Sequence, residues 1–178
     1  MSTIPPGPYV PGQSYVGRNG YIEYVAGNAP FIYTAPHGGD QTPAEIPDRT
    51  ASRCGGSATT TTDLATEELV RAMQQRHFVR FGTYPHVIIN HLARRKLDAN
   101  RPELEAACGS DAARIALGEW HAFIDSAEAA VVRASGRGWY MDIHGHGHAK
   151  QRLEIGYLLT SLVERTRVVT GVGSSLSR

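Results

Sequence analysis

The chain lacks the features that mark membrane, secreted or general nucleic-acid-binding proteins. It has no run of about 18 apolar residues, which argues against a transmembrane helix. Lys plus Arg total 18 and Asp plus Glu total 17, so the formal net charge is +1 and the basic excess of a nucleic-acid binder is absent. The first residues contain no basic segment followed by an apolar one. We therefore expect no leader, no membrane or nucleic-acid partner, and a cytoplasmic location.

Cysteine is also scarce, with only Cys54 and Cys108. Neither lies in a Cys-x-x-Cys motif, which excludes a zinc ribbon built on thiolates. Their spacing leaves open whether they pair or stay free. The 178 residues, 41% of them hydrophobic and 20% charged, correspond to one globular domain.

The order of the predicted elements indicates an α/β domain. Helical periodicity covers 63–79, capped by Thr62 or Asp63, and a longer stretch from Ser110 or Asp111 to about residue 134. Runs typical of strands lie at 21–26, 31–35, 86–90, 139–143 and 153–159, the first pair forming either a hairpin or two successive strands. This alternation predicts a mixed, largely parallel sheet flanked by helices.

The ends of the chain differ from this central part. Residues 1–19 are rich in Pro, Gly and Ser, and we expect an extended arm there. Residues 20–165 then form the folded domain. Residues 166–178 are rich in Ser and Gly, which predicts a loose tail or a fold that the chain does not complete.

The strongest chemical motif is Asp142-Ile-His144-Gly-His146-Gly-His148, directly after a predicted strand. Alternate residues of a strand point to the same face, so Asp142, His144 and His146 share a side as long as the extension persists. Imidazole is a common zinc ligand, and a nearby carboxylate can orient it. A solvated polar loop is the alternative.

A further histidine, His37, follows another predicted strand and precedes Gly38-Gly39. Sites in open α/β sheets gather beyond the carboxyl ends of strands, so His37 is positioned either to reach a metal or simply to cap a turn. Catalytic zinc usually has three protein ligands. Spacing does not choose the acidic ligand among these candidates: Asp40, Glu45, Asp48, Glu67 and Glu68.

A charged segment, residues 94–101, follows the strand predicted at 86–90. Its arginines offer the forked donor pair that binds a carboxylate, and Asn100 can donate to the same oxygens. A solvated surface loop is the usual alternative. Its position beyond a strand end favours a role in binding an anionic substrate.

Taken together, these motifs resemble the N-formylglutamate amidohydrolase family, which is related to the zinc carboxypeptidases and to phage poly-γ-glutamate hydrolases. The resemblance covers roughly residues 15–160 and is carried by the segments 35–39, 89–90, 94–101, 142–148 and 152–157. It implies a zinc carboxypeptidase-like α/β fold and a zinc-dependent amidohydrolase. Its substrate would be a small amide or short peptide with a free carboxylate, of N-formyl, N-acyl or γ-glutamyl type.

The resemblance also implies ligands for the zinc. His37 corresponds to the first zinc ligand and His144 to the last. The Thr66-Glu-Glu68-Leu69 segment matches the family's Thr-x-Glu-Leu pattern, which favours Glu68 as the acidic ligand.

For the substrate, Asn100 and Arg101 resemble the pair that binds its carboxylate, and Arg94 adds a cationic contact that helps to stabilise the oxyanion. The family's general-base glutamate lies on a late strand that this chain does not reach. Glu154 is either a substitute base or an ordinary residue of the next strand. The alternative to an enzyme is therefore a truncated or degenerate member that keeps the metal and carboxylate site without catalysis.

Overall fold

In a computed structural model, a mixed β-sheet separates two layers of helix. The structure describes residues 4–150 and 152–154, together with the backbone of 166–170. The strands are β1 (Ser14–Val16), β2 (Ile22–Val25), β3 (Phe31–Ala35), β4 (His86–Asn90), β5 (Arg137–Asp142) and β6 (Thr166–Thr170). The helices are α1 (Thr66–Phe81), α2 (Glu103–Ala107) and α3 (Asp111–Ser135), with a 3-10 turn at Arg18–Gly20.

The strand order is β1-β2-β4-β3-β5-β6. Strand β3 pairs in parallel with both β4 and β5, whereas the β1–β2, β2–β4 and β5–β6 pairs are antiparallel. The α/β class with a mixed sheet is confirmed, but the expectation of a largely parallel sheet is wrong. The hairpin alternative for the first two predicted strands is wrong as well, because β4 lies between β2 and β3.

Alternating side chains of the central strands supply a core on each face of the sheet. Ile32 of β3 and Ile88 of β4 face α3 and pack in one cluster with its Phe123. Side chains at the alternate positions of these strands point to the other face. There they pack around Val70 of α1, and they are Tyr33, Ala35, Val87 and Ile89. The strands β2 and β4 are buried along their whole length, as expected for strands covered on both sides.

The long helix begins as predicted: Oγ of Ser110 accepts a hydrogen bond from the backbone N of Ala113, and the helix continues to Ser135. The earlier helix begins at Thr66, not at residue 63, after Ala65 in the left-handed conformation. Asp63, predicted as a cap, is thereby left in the loop before the helix.

Both ends of the chain differ from the expected arm and tail. Residues 14–16 form the edge strand β1, and residues 166–170 form β6 at the opposite edge. The strand predicted at 153–159 is not seen at residues 153 and 154, and its remainder lies outside the described residues. Within the described part of the chain, no helix is long and apolar enough to cross a membrane.

Candidate metal centre

Three chain segments meet beyond the carboxyl ends of the parallel strands β3, β4 and β5. His37 follows β3, the loop containing Asp98 follows β4, and His144 follows β5. The parallel pairing of these strands brings their carboxyl ends to one edge of the sheet. The side chains that the sequence places at three separate strand ends are therefore neighbours here.

Glycines allow the segment after β3 to fit between neighbouring elements. A Cβ atom on Gly38 would lie 2.5 Å from Oγ1 of Thr66, at the start of α1. A Cβ atom on Gly39 would lie 2.1 Å from the carbonyl carbon of His91, just after β4. Because both distances are shorter than side chains tolerate, this close approach requires glycine at both positions.

The centre itself consists of His37, Asp63 and His144, whose ligand atoms converge on one point. Nδ1 of His37 lies 3.2 Å from Nδ1 of His144. Oδ2 of Asp63 lies 3.1 Å from Nδ1 of His144 and 3.4 Å from Nδ1 of His37. Two imidazole nitrogens and a carboxylate oxygen at these distances form a candidate site for a metal ion.

The other nitrogen of each imidazole faces a carboxylate. Nε2 of His37 lies 2.7 Å from Oδ1 of Asp98, and Nε2 of His144 lies 3.0 Å from Oδ2 of Asp142. Asp142 is held in turn by Oγ1 of Thr34, which donates to its Oδ1 at 2.7 Å. Hydrogen bonds of this kind fix the ring orientation, and a metal ion bound at the centre would take the place of a proton on Nδ1.

The carboxylates of Asp63 and Asp98 are kept ionised by their partners. Burial alone would raise the pKa of Asp63, but hydrogen bonds with His144 and His37 outweigh it and lower that pKa well below its usual range. Burial opposes ionisation of Asp98 as well, and its contacts with His37 and Arg94 again lower the pKa. Ionised carboxylates beside two imidazoles favour binding of a cation.

Positive side chains surround Asp98 on its other side. Nε of Arg94 donates to Oδ2 of Asp98 at 3.0 Å, and its Nη1 lies 3.6 Å from Oδ1 of Asp63. The buried Arg49 lies 3.7 Å from Asp98 and donates to the carbonyl oxygens of Thr59 and Arg94. Arg94 thus lies beside the centre, where it pairs with the carboxylates of Asp98 and Asp63.

The predicted carboxylate-binding pair is divided between two places. Nδ2 of Asn100 lies 3.3 Å from Nε2 of His144, so Asn100 lies beside the centre. Arg101 is exposed and lines a cavity of about 880 Å³ between the 99–103 segment and α3, and Asn100 lines it too. Asn100 therefore connects the metal centre with this cavity.

Several predicted site residues lie away from the centre. Glu68 is exposed on α1, and the acidic residue with the two histidines is Asp63. Glu154 pairs with His148 and Arg152. The other acidic candidates are also elsewhere: Asp40 is exposed, Glu45 accepts from Tyr21, Asp48 pairs with Lys96, and Glu67 contacts His91.

Sequence reasoning missed Asp63 as a candidate ligand and Asp98 as the partner of His37. The signal for Asp63 is its position at the predicted start of a helix. Because the helix begins only at Thr66, Asp63 lies in the preceding loop and its side chain can reach the strand ends. No family model matches this chain, and searches of curated proteins and of solved structures return no match either.

Proposed function

We propose that this protein is a zinc-dependent amidohydrolase with a zinc carboxypeptidase-like fold, and that His37, Asp63 and His144 hold the ion. The single observation behind this proposal is the convergence of the three ligand atoms. At zinc–ligand bonds of about 2.0–2.1 Å in a tetrahedron, neighbouring ligand atoms are about 3.3 Å apart. The observed separations of 3.1, 3.2 and 3.4 Å fit that value.

Among the residues that the structure describes, three offer ligand atoms to the centre, and this number supports a catalytic role over a purely structural one. Structural zinc sites are usually closed by four protein ligands, whereas catalytic sites use three and keep a position for water or substrate. When bound, zinc would supply a Lewis acid that polarises an amide carbonyl and lowers the pKa of water toward about 7. The buried contact of His37 with Asp98 would keep that imidazole oriented during turnover.

The substrate we propose is a small amide or short peptide that carries a free carboxylate. Asn100 and Arg101 would bind that carboxylate, because both line the cavity next to the centre. Arg94 would stabilise negative charge on the reacting carbonyl oxygen from its place beside Asp63. Binding the carboxylate at a fixed distance would bring the scissile amide to the metal.

One observation favours a second candidate function, that of an amidohydrolase-like protein that binds metal without catalysing hydrolysis. Among residues 4–150 and 152–154, the carboxylates found next to the centre are already engaged by its histidines. They belong to Asp63, Asp98 and Asp142. Glu154, which the sequence leaves open as a substitute base or an ordinary residue, pairs with Arg152 and His148. A proton acceptor is needed within hydrogen-bond reach of the attacking water, and Glu154 does not provide one in this arrangement.

The test has a binding part and a catalytic part. Protein purified without chelator is analysed for zinc, and His37→Ala combined with His144→Ala should abolish the tightly bound equivalent. His77→Ala is the matched control, since His77 lies on α1 and contacts Thr83. The zinc form is then assayed against N-formylglutamate, N-acetylglutamate and γ-glutamyl dipeptides.

Hydrolysis that disappears in the double variant and persists in the control supports the enzyme. Stoichiometric zinc with no hydrolysis supports the non-catalytic candidate. Tightly bound zinc that survives dialysis in the double variant would overturn the assignment of the site.

A further inference from the structure

We propose that His146, His148 and Glu154 form a second, separate site for a divalent transition-metal ion, which we call the rim site. One ligand atom from each residue lies within 4.8 Å of the others. All three side chains are exposed. The candidate metal centre uses none of them, although His144 lies only two positions before His146. The proposal is independent of any amidohydrolase activity.

The side chains are already close together. The imidazole centroids of His146 and His148 are 4.8 Å apart. Nδ1 of His148 lies 2.9 Å from Oε1 of Glu154. Nε2 of His146 donates to the carbonyl oxygen of Arg152 at 2.8 Å. An ion bound here would replace these contacts while the chain keeps the same course.

The backbone leaves room for an ion with its waters. Strand β5 ends at Asp142, and residues 143–148 form no helix or strand. His146 contacts the carbonyl oxygen of Arg152, whereas His144 contacts Asp63 and Asp142. A Cβ atom placed on Gly147 would have no neighbour within 4 Å. The two imidazoles therefore lie in an exposed loop, and Glu154 supplies the third ligand atom.

The ligands indicate the class of ion. Two imidazoles and one carboxylate suit zinc, cobalt, nickel and copper, whereas calcium and magnesium prefer oxygen ligands. Three protein ligands leave positions for water. Because the rim site is exposed and lies in a loop, we expect it to bind zinc more weakly than the buried centre around His37.

Arg152 competes with the ion for Glu154. Its Nε donates to Oε1 of Glu154 at 2.7 Å, and both side chains are exposed. An ion pair of this kind contributes little to stability, so a metal can displace it. The competition also gives the proposal a distinctive consequence, because removing the arginine side chain should strengthen metal binding.

The experiment is a calorimetric titration of the chelator-stripped chain with zinc, repeated with cobalt. The variant His146→Ala combined with His148→Ala should bind one equivalent fewer than the wild type. The variant His37→Ala combined with His144→Ala should keep the weaker equivalent that the first variant loses. His77→Ala, as the matched control, should bind like the wild type.

Two further variants test the ligand set while leaving the imidazoles intact. Glu154→Gln should weaken the weaker equivalent about tenfold, and Arg152→Ala should strengthen it several-fold. An unchanged stoichiometry in the His146/His148 variant would overturn the proposal. An unchanged affinity for the weaker zinc ion in Glu154→Gln would also overturn it. Binding of the second zinc ion only at millimolar zinc would do the same. If zinc binds at the rim site as expected but no zinc binds at the buried centre, the result contradicts the proposed function and leaves the rim site supported.

Discussion

Nε2 of His37 lies 2.7 Å from Oδ1 of Asp98, and both side chains are almost fully buried. This contact joins the segment after β3 to the loop after β4 and turns Nδ1 of the imidazole toward His144. A buried carboxylate is costly unless it is paired, and Asp98 is paired with His37, Arg94 and Arg49. The pairing explains why a charged residue is retained in the interior beside the candidate metal centre.

Replacing this carboxylate should weaken metal binding without removing any direct ligand. We expect Asp98→Asn to reduce zinc affinity by about 10- to 100-fold, the usual cost of losing the partner of a metal-binding histidine. The measurement is competition with a chromophoric chelator. Asp48→Asn is the control, because Asp48 is also a paired aspartate but lies at the surface. Equal affinities in the two variants would show that Asp98 does not orient His37.

The identity of the acidic ligand can be tested by a pair of substitutions. Asp63→Asn should abolish tight zinc binding, because its carboxylate lies 3.1 Å from Nδ1 of His144. Glu68→Gln should leave binding unchanged, because Glu68 is exposed on α1. Metal content after dialysis distinguishes the two. If Glu68→Gln lost the metal and Asp63→Asn kept it, the alignment with the Thr-x-Glu-Leu pattern would be the better guide.

Local patterns in the sequence predict the elements well where one force dominates. The run at His86–Asn90 is apolar and forms the buried strand β4. Ser110 caps the long helix that the three- and four-residue spacing of apolar residues predicts. In both cases local propensity and burial favour the same structure, so neighbouring residues suffice for the prediction.

The order of the strands and the choice of the candidate acidic ligand depend on contacts between residues distant in the chain. The segment between β2 and β3 is compatible with a hairpin, yet β4 inserts between them and pairs with both. Asp63 approaches His144 across 81 positions, and helical propensity gives no reason for α1 to begin only at Thr66. The three strand ends could be expected to meet, because parallel pairing follows from the α/β pattern.

The disulfide should stabilise the part of the fold that holds the candidate metal centre. Cys54 and Cys108 are bonded across a sequence separation of 54 residues, and that loop includes Asp63 and Asp98. Loop-closure entropy for this length corresponds to about 4 kcal/mol. We expect Cys54→Ala with Cys108→Ala to lower the free energy of unfolding by about 2–4 kcal/mol in urea titrations. A loss below about 0.5 kcal/mol would indicate that the unfolded chain is already restricted without the bond.

A pH dependence of stability should arise at His91, which lies between two glutamates. Nε2 of His91 is 2.9 Å from Oε2 of Glu23, and Nδ1 is 3.1 Å from Oε2 of Glu67. Hydrogen bonds with Glu23 and then Glu67 raise the pKa of His91 to about 9 against the opposing effect of burial. Arg71 of α1 also pairs with Glu23, so the cluster contains two cations and two carboxylates.

Because the pKa of His91 is higher in the folded chain than its unfolded value of about 6.5, protonation stabilises the fold. This contribution is complete below about pH 6.5 and is lost as the pH rises through about 9, with an upper limit of about 3 kcal/mol. Urea titrations of the wild type from pH 6 to 10 should therefore show a fall in stability that His91→Asn lacks. Glu67→Gln should keep a smaller fall, since Glu23 still supports the imidazolium. A wild-type curve that stays flat between pH 7 and 10 would contradict the ion-paired state of His91.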